Sequence, residues 1–327
     1  MPDLSVNYLN LKLKNPVIAA SSGQTKTLDN LVKLEENGVG AVVLKSFFEE
    51  SLTKSQSFDP AENYHPEIYE YFGYEHDKYF GLKDYCELVA KAKSRLSIPI
   101  IASINCVGAD WWFRFSEQLE AAGADAIELN VFNYASSKNF ASPNIEKIYL
   151  DIVKGVKNSV KIPISIKIGQ NFSSIPNFIS SLERNGINGI VLFNRFTDLD
   201  IDINTFKFKT SFEFSDRHEF FVPLRWIAIL YRQVKCSLSA STGVKSHEEI
   251  IKFLLAGAST VQLASVIYQK GPGVIAEMLN EIEKWMGEHG IDKLAGIRGK
   301  LSFSQDAEGI ANYYMRSQFM EKISEVE

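Results

Sequence analysis

"KCSLSASTGVKSHEEIIKFLLAGASTVQLASV", residues 235–266, decides the fold. It opens with a short run rich in small and apolar residues, 235–241, which reads as a strand. Ser246 and Glu249 then stand three apart before an apolar stretch, the spacing of a helix capping box. That stretch stops at Gly257, a helix-ending residue, and a second strand-like run, "TVQLASV", follows at 260–266. Strand, helix, strand is one β–α–β unit.

The same unit recurs along the chain. Six more short runs match: "NPVIAAS" (15–21), "GAVVLKS" (40–46), "IPIIASI" (98–104), "AIELNV" (126–131), "IPISIKI" (162–168) and "GIVLFNR" (189–195). They are close to continuously apolar rather than alternating, the pattern of strands buried on both faces. The segments between them have helical periodicity. "TLDNLVKLEENG" sets Leu28, Leu31, Val32 and Leu34 along one stripe and ends at Gly38. Eight such strands in 327 residues predict an α/β fold, a (β/α)8 TIM barrel, with a doubly wound open sheet as the alternative. Two excursions interrupt the rhythm, 47–82 after the second strand and 196–222 after the sixth. Both leave C-terminal strand ends, where barrels build their sites. No linker or repeat divides the chain, so 1–327 reads as one domain, with 288–327 as an extension packed outside the barrel.

Composition narrows the function. The formal charge of −5 offers no basic face for nucleic acid or a membrane surface. No apolar run reaches the length of a membrane span, and the N-terminus carries no secretion-signal pattern. Cys86, Cys106 and Cys236 are far apart, in neither a disulfide framework nor a zinc pattern, and no histidines have metal-ligand spacing. A soluble, cytoplasmic protein with a small-molecule substrate and no metal is the expectation.

In a barrel, the last residue of each strand converges on one mouth. Here those are Ala20, Ser21 and Ser22; Lys45 and Ser46; Asn105; Asn130; Lys167; Asn194 and Arg195; Ser241, Thr242 and Gly243; Ala264 and Ser265. The ring is rich in donors, contains no carboxylate, and suits an electron-rich or anionic ligand. Thr242–Gly243 and Ala264–Ser265 follow the seventh and eighth strands, the usual barrel phosphate position. Two chemistries use such a mouth: a flavin whose reduced ring a lysine stabilises, or a Schiff base formed on Lys167 in a lyase. Spacing alone leaves both open.

The order of these motifs resembles the dihydroorotate dehydrogenase family of FMN-containing (β/α)8 barrels, particularly its soluble class. "NPVIAASSG", "GAVVLKS", "IELN", "ISIKI", "GIVLFN", the stretch from "STGV" to "QLAS", "KGPG" and "IRGKLS" carry the resemblance across nearly the whole chain. It implies an FMN-dependent oxidoreductase that converts dihydroorotate to orotate in pyrimidine biosynthesis, and a homodimer. It further implies that Ala20, Ser21, Lys45, Asn130, Lys167 and Asn194 line the flavin, with Lys45 also reaching substrate. Thr242, Gly243, Ala264 and Ser265 would hold its phosphate.

Three departures qualify the resemblance. The family's strand-4 loop reads Asn-x-x-Cys or Asn-x-x-Ser, and the Cys or Ser takes a proton from substrate. Here that position is Asn133, whose amide has no basicity near neutral pH. Tyr134, Ser136 and Ser137 are the nearby substitutes. The family's substrate segment has no counterpart in "YEYFGYEHDKYFGLKDY" (69–85), and "SFEFSDRHEFFVP" (211–223) replaces its glycine-rich phosphate loop. An FMN oxidoreductase with another substrate and a catalytically silent flavin protein therefore stand beside the dihydroorotate reading.

Overall fold

The computed structural model describes residues 2–49, 81–133, 135–195, 198–211 and 214–303. Most of the first excursion, Tyr134 and the end of the C-terminal extension lie outside the described residues. A hairpin, β1 (Val6–Tyr8) with β2 (Leu11–Leu13), precedes the barrel. The barrel strands are β3 (Val17–Ala19), β4 (Ala41–Val43), β6 (Ile100–Asn105), β7 (Ala126–Asn130), β8 (Ile164–Ile168), β9 (Gly189–Leu192), β12 (Ser237–Ser241) and β13 (Thr260–Leu263). All pair in parallel in that order, and β13 pairs back with β3 to close the ring. The expected (β/α)8 barrel is what forms.

Two boundaries differ from the sequence reading. The second run breaks at Leu44–Ser46 and resumes as β5 (Phe47–Phe48), which also pairs with β6. The eighth run ends at Leu263, because Ala264 caps a helix that opens at Ser265. The capping box at Ser246 and Glu249 forms as expected, starting the helix His247–Ala256.

The barrel interior follows the two-residue alternation of strands. Ile127 and Leu129, Ile164 and Ile166, and Leu238 and Ala240 belong to the outer core against the helices. Ile18, Ala41, Val43, Ile101 and Ala126 face a separate inner cluster with Tyr8, Leu9 and Leu13. The N-terminal hairpin therefore plugs the barrel floor. Leu9 N–H donates to Ser237 Oγ at 3.2 Å, and any Cβ at Gly189 would meet Leu9 Cδ2 at 2.5 Å, so β9 needs glycine there. Full burial of such side chains stabilises by about 1.5–3 kcal/mol each. Burial, then the nearby Glu128 carboxylate, pushes the Tyr8 phenol far above its ordinary range. Gln262 Nε2 donates to buried Glu128 Oε2 at 2.6 Å, bridging opposite walls above this floor.

The second excursion contains a hairpin, β10 (Asp198–Asp202) with β11 (Lys207–Ser211). Leu199, Ile201 and Phe208 share its apolar face and are exposed, while Asp200 pairs with Lys209 and Asp202 with Lys207 on the other face. Beyond the helix Val274–Glu288, Gly299, Leu301 and Phe303 donate backbone hydrogen bonds to Leu254, Leu255 and Ala228. The described part of the extension thus packs outside the barrel, against the helices His247–Ala256 and Phe221–Leu230.

Candidate active site

The alternation that sends Ile18, Val43 and Glu128 inward sends the residues two further on to the mouth. These are Ala20, Lys45 and Asn130, all buried. Lys167 follows from β8 and stands in register with Asn130. Hydrogen bonds join several of them. Asn194 Nδ2 donates to Asn130 Oδ1 at 2.7 Å, and Asn130 Nδ2 donates to Ser46 Oγ at 3.3 Å. Ser46 Oγ lies 3.0 Å from Ser21 Oγ and 2.8 Å from Ser103 Oγ. Strands 1, 2, 3, 4 and 6 of the barrel are thereby tied at one level, which fixes the amide of Asn130.

Two donors at this level have no acceptor. The Asn105 amide nitrogen is buried and without a partner among the described residues. Lys167, 7% exposed, makes no hydrogen bond or ion pair with any described residue. Such groups are costly unless something accepts from them. Lys45 is as buried as Lys167. Arg195 does not add to this cationic cup, because its Nε donates to Glu219 Oε2 at 2.7 Å. That pair, with Asp216, Phe214, Phe193 and Thr242, lines a cavity of about 390 Å³ at the rim between β9 and β12.

The residues at the ends of β12 and β13 also come together. Thr242 and Gly243 both have left-handed backbone, with φ of 83° and 76°, and a Cβ on Gly243 would stand 2.4 Å from the Phe220 nitrogen. Ser265 and Gly243 meet through a residue that sequence reasoning did not single out, Ser215. Gly243 N–H donates to Ser215 Oγ at 3.3 Å, and Ser215 N–H and Oγ–H reach Ser265 Oγ at 3.1 and 3.0 Å.

The strand-4 loop behaves differently. Asn133 is half-buried, and its backbone N–H bonds the Tyr149 hydroxyl, which donates to the Val131 carbonyl at 3.4 Å. Burial pushes the Tyr149 phenol up to about 12, so it is no base near neutral pH. Asn133 and Tyr149 line a side cavity of about 220 Å³ with Phe140, Asn171, Phe172 and Ser173. Ser136 is exposed, and Ser137 Oγ accepts from Asn139 N–H at 3.3 Å. Neither serine hydrogen-bonds with Lys45, Asn130 or Lys167, so neither joins the mouth network. Ser46, Ser103, Asn105 and Ser215 are the site residues whose roles the sequence left unassigned. A strand-end position was the signal for Ser46 and Asn105; Ser103 and Ser215 had none.

Known protein sequences resemble this one. The dihydroorotate dehydrogenase family model matches residues 3–286. The catalytic subunit of dihydroorotate dehydrogenase B (NAD(+)) from Endomicrobium trichonymphae is 26% identical, covering 94% of this chain and 100% of that protein. The corresponding subunit from Pyrococcus abyssi is 28% identical over 90% of this chain and 98% of its own length. Among the described residues no helix is long and apolar enough to cross a membrane, and no cluster of metal-ligating side chains occurs. With a closed parallel barrel, a donor-lined mouth and a match over most of its length, the chain belongs to the dihydroorotate dehydrogenase family.

Proposed function

We propose that this chain is an FMN-dependent oxidoreductase that acts on dihydroorotate or a close cyclic amide. The observation that carries the proposal is the pair of donors without acceptors among the described residues, Lys167 Nζ and the buried Asn105 Nδ2, beside Lys45 and the Asn130–Asn194 pair. A flavin ring offers what they lack: carbonyl and ring-nitrogen acceptors, and negative charge when reduced. The Schiff-base alternative rested on Lys167 alone, and family membership favours the oxidoreductase.

When bound, FMN supplies the hydride acceptor. Lys167 would balance negative charge on the reduced cofactor, and Ala20 and Ser21 would line it. Lys45 would reach substrate, and Asn130, held by Ser46 and Asn194, would orient the substrate amide. Oxidation of dihydroorotate also releases a proton from carbon, and at that step Asn133 has nothing to offer. General-base catalysis contributes about 10²–10⁴-fold, so turnover is slow, with water accepting the proton. The reading includes a cytoplasmic homodimer whose contact covers Leu199, Ile201 and Phe208, since a two-stranded hairpin with a bare apolar face gains stability from a cover.

The test is the visible spectrum of purified protein, followed by heat release of its chromophore. About one FMN per chain is expected. A colourless protein that also fails to take up added FMN would count against the proposal.

A further inference from the structure

We infer that Tyr85 is a positioning residue: its hydroxyl holds the bulge in the second barrel strand that delivers Lys45 and Ser46 to the mouth. The bulge is visible in the register. Val43 pairs with Ile101 and Phe47 with Ile104, so Leu44, Lys45 and Ser46 stand opposite two residues, Ala102 and Ser103. An extra residue on one strand bends it and re-aims its side chains, and bulges of this kind concentrate next to active sites. Here the backbone turns toward the first barrel strand and the turn that follows it. Lys45 N–H donates to the Thr25 carbonyl at 3.3 Å, and Ser46 N–H donates to Ser21 Oγ at 2.9 Å.

That detour takes hydrogen bonds away from β6. Leu44 N–H donates to the Ile101 carbonyl at 2.9 Å, so the polar backbone of Ile101 faces the second strand, and that of Ser103, two residues on, faces the same way. Tyr85, on the helix Leu82–Arg95, serves Ser103 in place of the strand. Its hydroxyl donates to the Ser103 carbonyl at 3.0 Å and accepts from the Ser103 N–H at 3.0 Å. The side chain is 2% exposed, and its ring lies 5.6 Å from that of Phe47, where the pairing resumes. Buried backbone groups without partners are strongly unfavourable, so one hydroxyl makes the bulge tolerable. The link then runs outward. Ser103 Oγ lies 2.8 Å from Ser46 Oγ, which accepts from Asn130 Nδ2 at 3.3 Å. Tyr85 thus acts on the mouth through Ser103.

Two variants of the full chain test this. Tyr85→Phe keeps the ring and removes the hydroxyl; Ser103→Ala cuts the next link and leaves Tyr85 in place. Tyr231→Phe, which loses a hydroxyl that donates to the Arg298 carbonyl at 3.4 Å outside the barrel, is the control. Amide hydrogen exchange needs no ligand. Tyr85→Phe is expected to speed exchange over 44–48 and 101–105 by about tenfold, the scale of one hydrogen bond, with β8 and β12 at native rates. Tyr231→Phe should leave 44–48 unchanged. Fluorescence titration with FMN reads the functional consequence, which rests on the flavin reading above. Each variant should bind FMN about tenfold more weakly, and the double variant no more weakly than the worse single one, because both cut one route. Native exchange at 44–48, a uniform rise across the barrel, or additive losses of FMN affinity overturns the inference. Should Tyr85→Phe fail to fold, Ser103→Ala decides, and native FMN affinity in it overturns the inference. FMN uptake by none of the proteins, with the local change at 44–48 present, removes the flavin reading and leaves the role of Tyr85 in the bulge standing.

Discussion

Exchanging Lys167 for Met sets stability against cofactor affinity. Lys167 is 7% exposed and has no partner among the described residues, so its ammonium gives up part of its hydration without compensation in the flavin-free protein. Burying an ion costs several kcal/mol after relaxation. Nζ is not fully enclosed, which reduces the recoverable part to about 1–2 kcal/mol by the same reasoning. Methionine fills a similar volume, so packing should change little. The flavin-free Lys167→Met variant is therefore expected to unfold about 2–4 °C higher. The flavin-bound side runs the other way. Losing a hydrogen bond from a charged donor costs about 1.5–3 kcal/mol, or about 10–150-fold in affinity. The same loss acting on the reduced ring lowers the two-electron potential by about 30–65 mV. Thermal unfolding, fluorescence titration and dye-coupled reduction measure the three quantities. A flavin-free variant that melts lower and binds FMN as tightly as the native chain refutes the reasoning, because Lys167 would then be a structural cation.

Further outcomes follow from other residues. Gly243→Ala adds a Cβ 2.4 Å from the Phe220 nitrogen at a left-handed position, so a loss of about 1–3 kcal/mol in denaturant unfolding is expected; an unchanged midpoint would show that the 214–220 segment is free to move. Tyr149, held up to about 12 by burial against an ordinary value near 10, contributes stability that is full below about pH 10 and is lost as pH rises through about 12. Tyr149→Phe should therefore flatten the alkaline limb of stability over that window; an equally steep limb would place the titrating group elsewhere. Replacing Leu199, Ile201 and Phe208 together by Ser should halve the mass measured by light scattering while the circular dichroism of the barrel is retained; a native protein that is already monomeric would end the dimer assignment.

Much of the fold was legible because it is written in local periods. Near-continuous apolar runs marked every barrel strand, and the capping box at Ser246 and Glu249 formed where expected. Strand alternation carried Lys45, Asn130 and Lys167 to the mouth, so this part of it could be read from strand ends. What could not be read depends on contacts between distant residues. Asn194 meets Asn130 across 64 positions and Ser215 meets Ser265 across 50, and neither has a periodic signature. The excursion after the sixth strand looked merely polar and aromatic, since the β10–β11 hairpin is too short to stand out from its loop. Ser136 and Ser137 were candidates by proximity in sequence, but neither hydrogen-bonds to the mouth network: Ser136 is exposed and Ser137 Oγ accepts from Asn139 N–H.

The central claim is that the flavin side of a dihydroorotate dehydrogenase mouth is retained while its proton acceptor is lost at Asn133. Its most direct test is anaerobic bleaching of the FMN-loaded protein by dihydroorotate, in the native chain and in Asn133→Cys side by side. The account predicts slow bleaching in the native protein and an acceleration of about 10²–10⁴-fold in the variant. Equal rates in both would mean that another group already takes the proton, and no bleaching in either would remove dihydroorotate as the substrate.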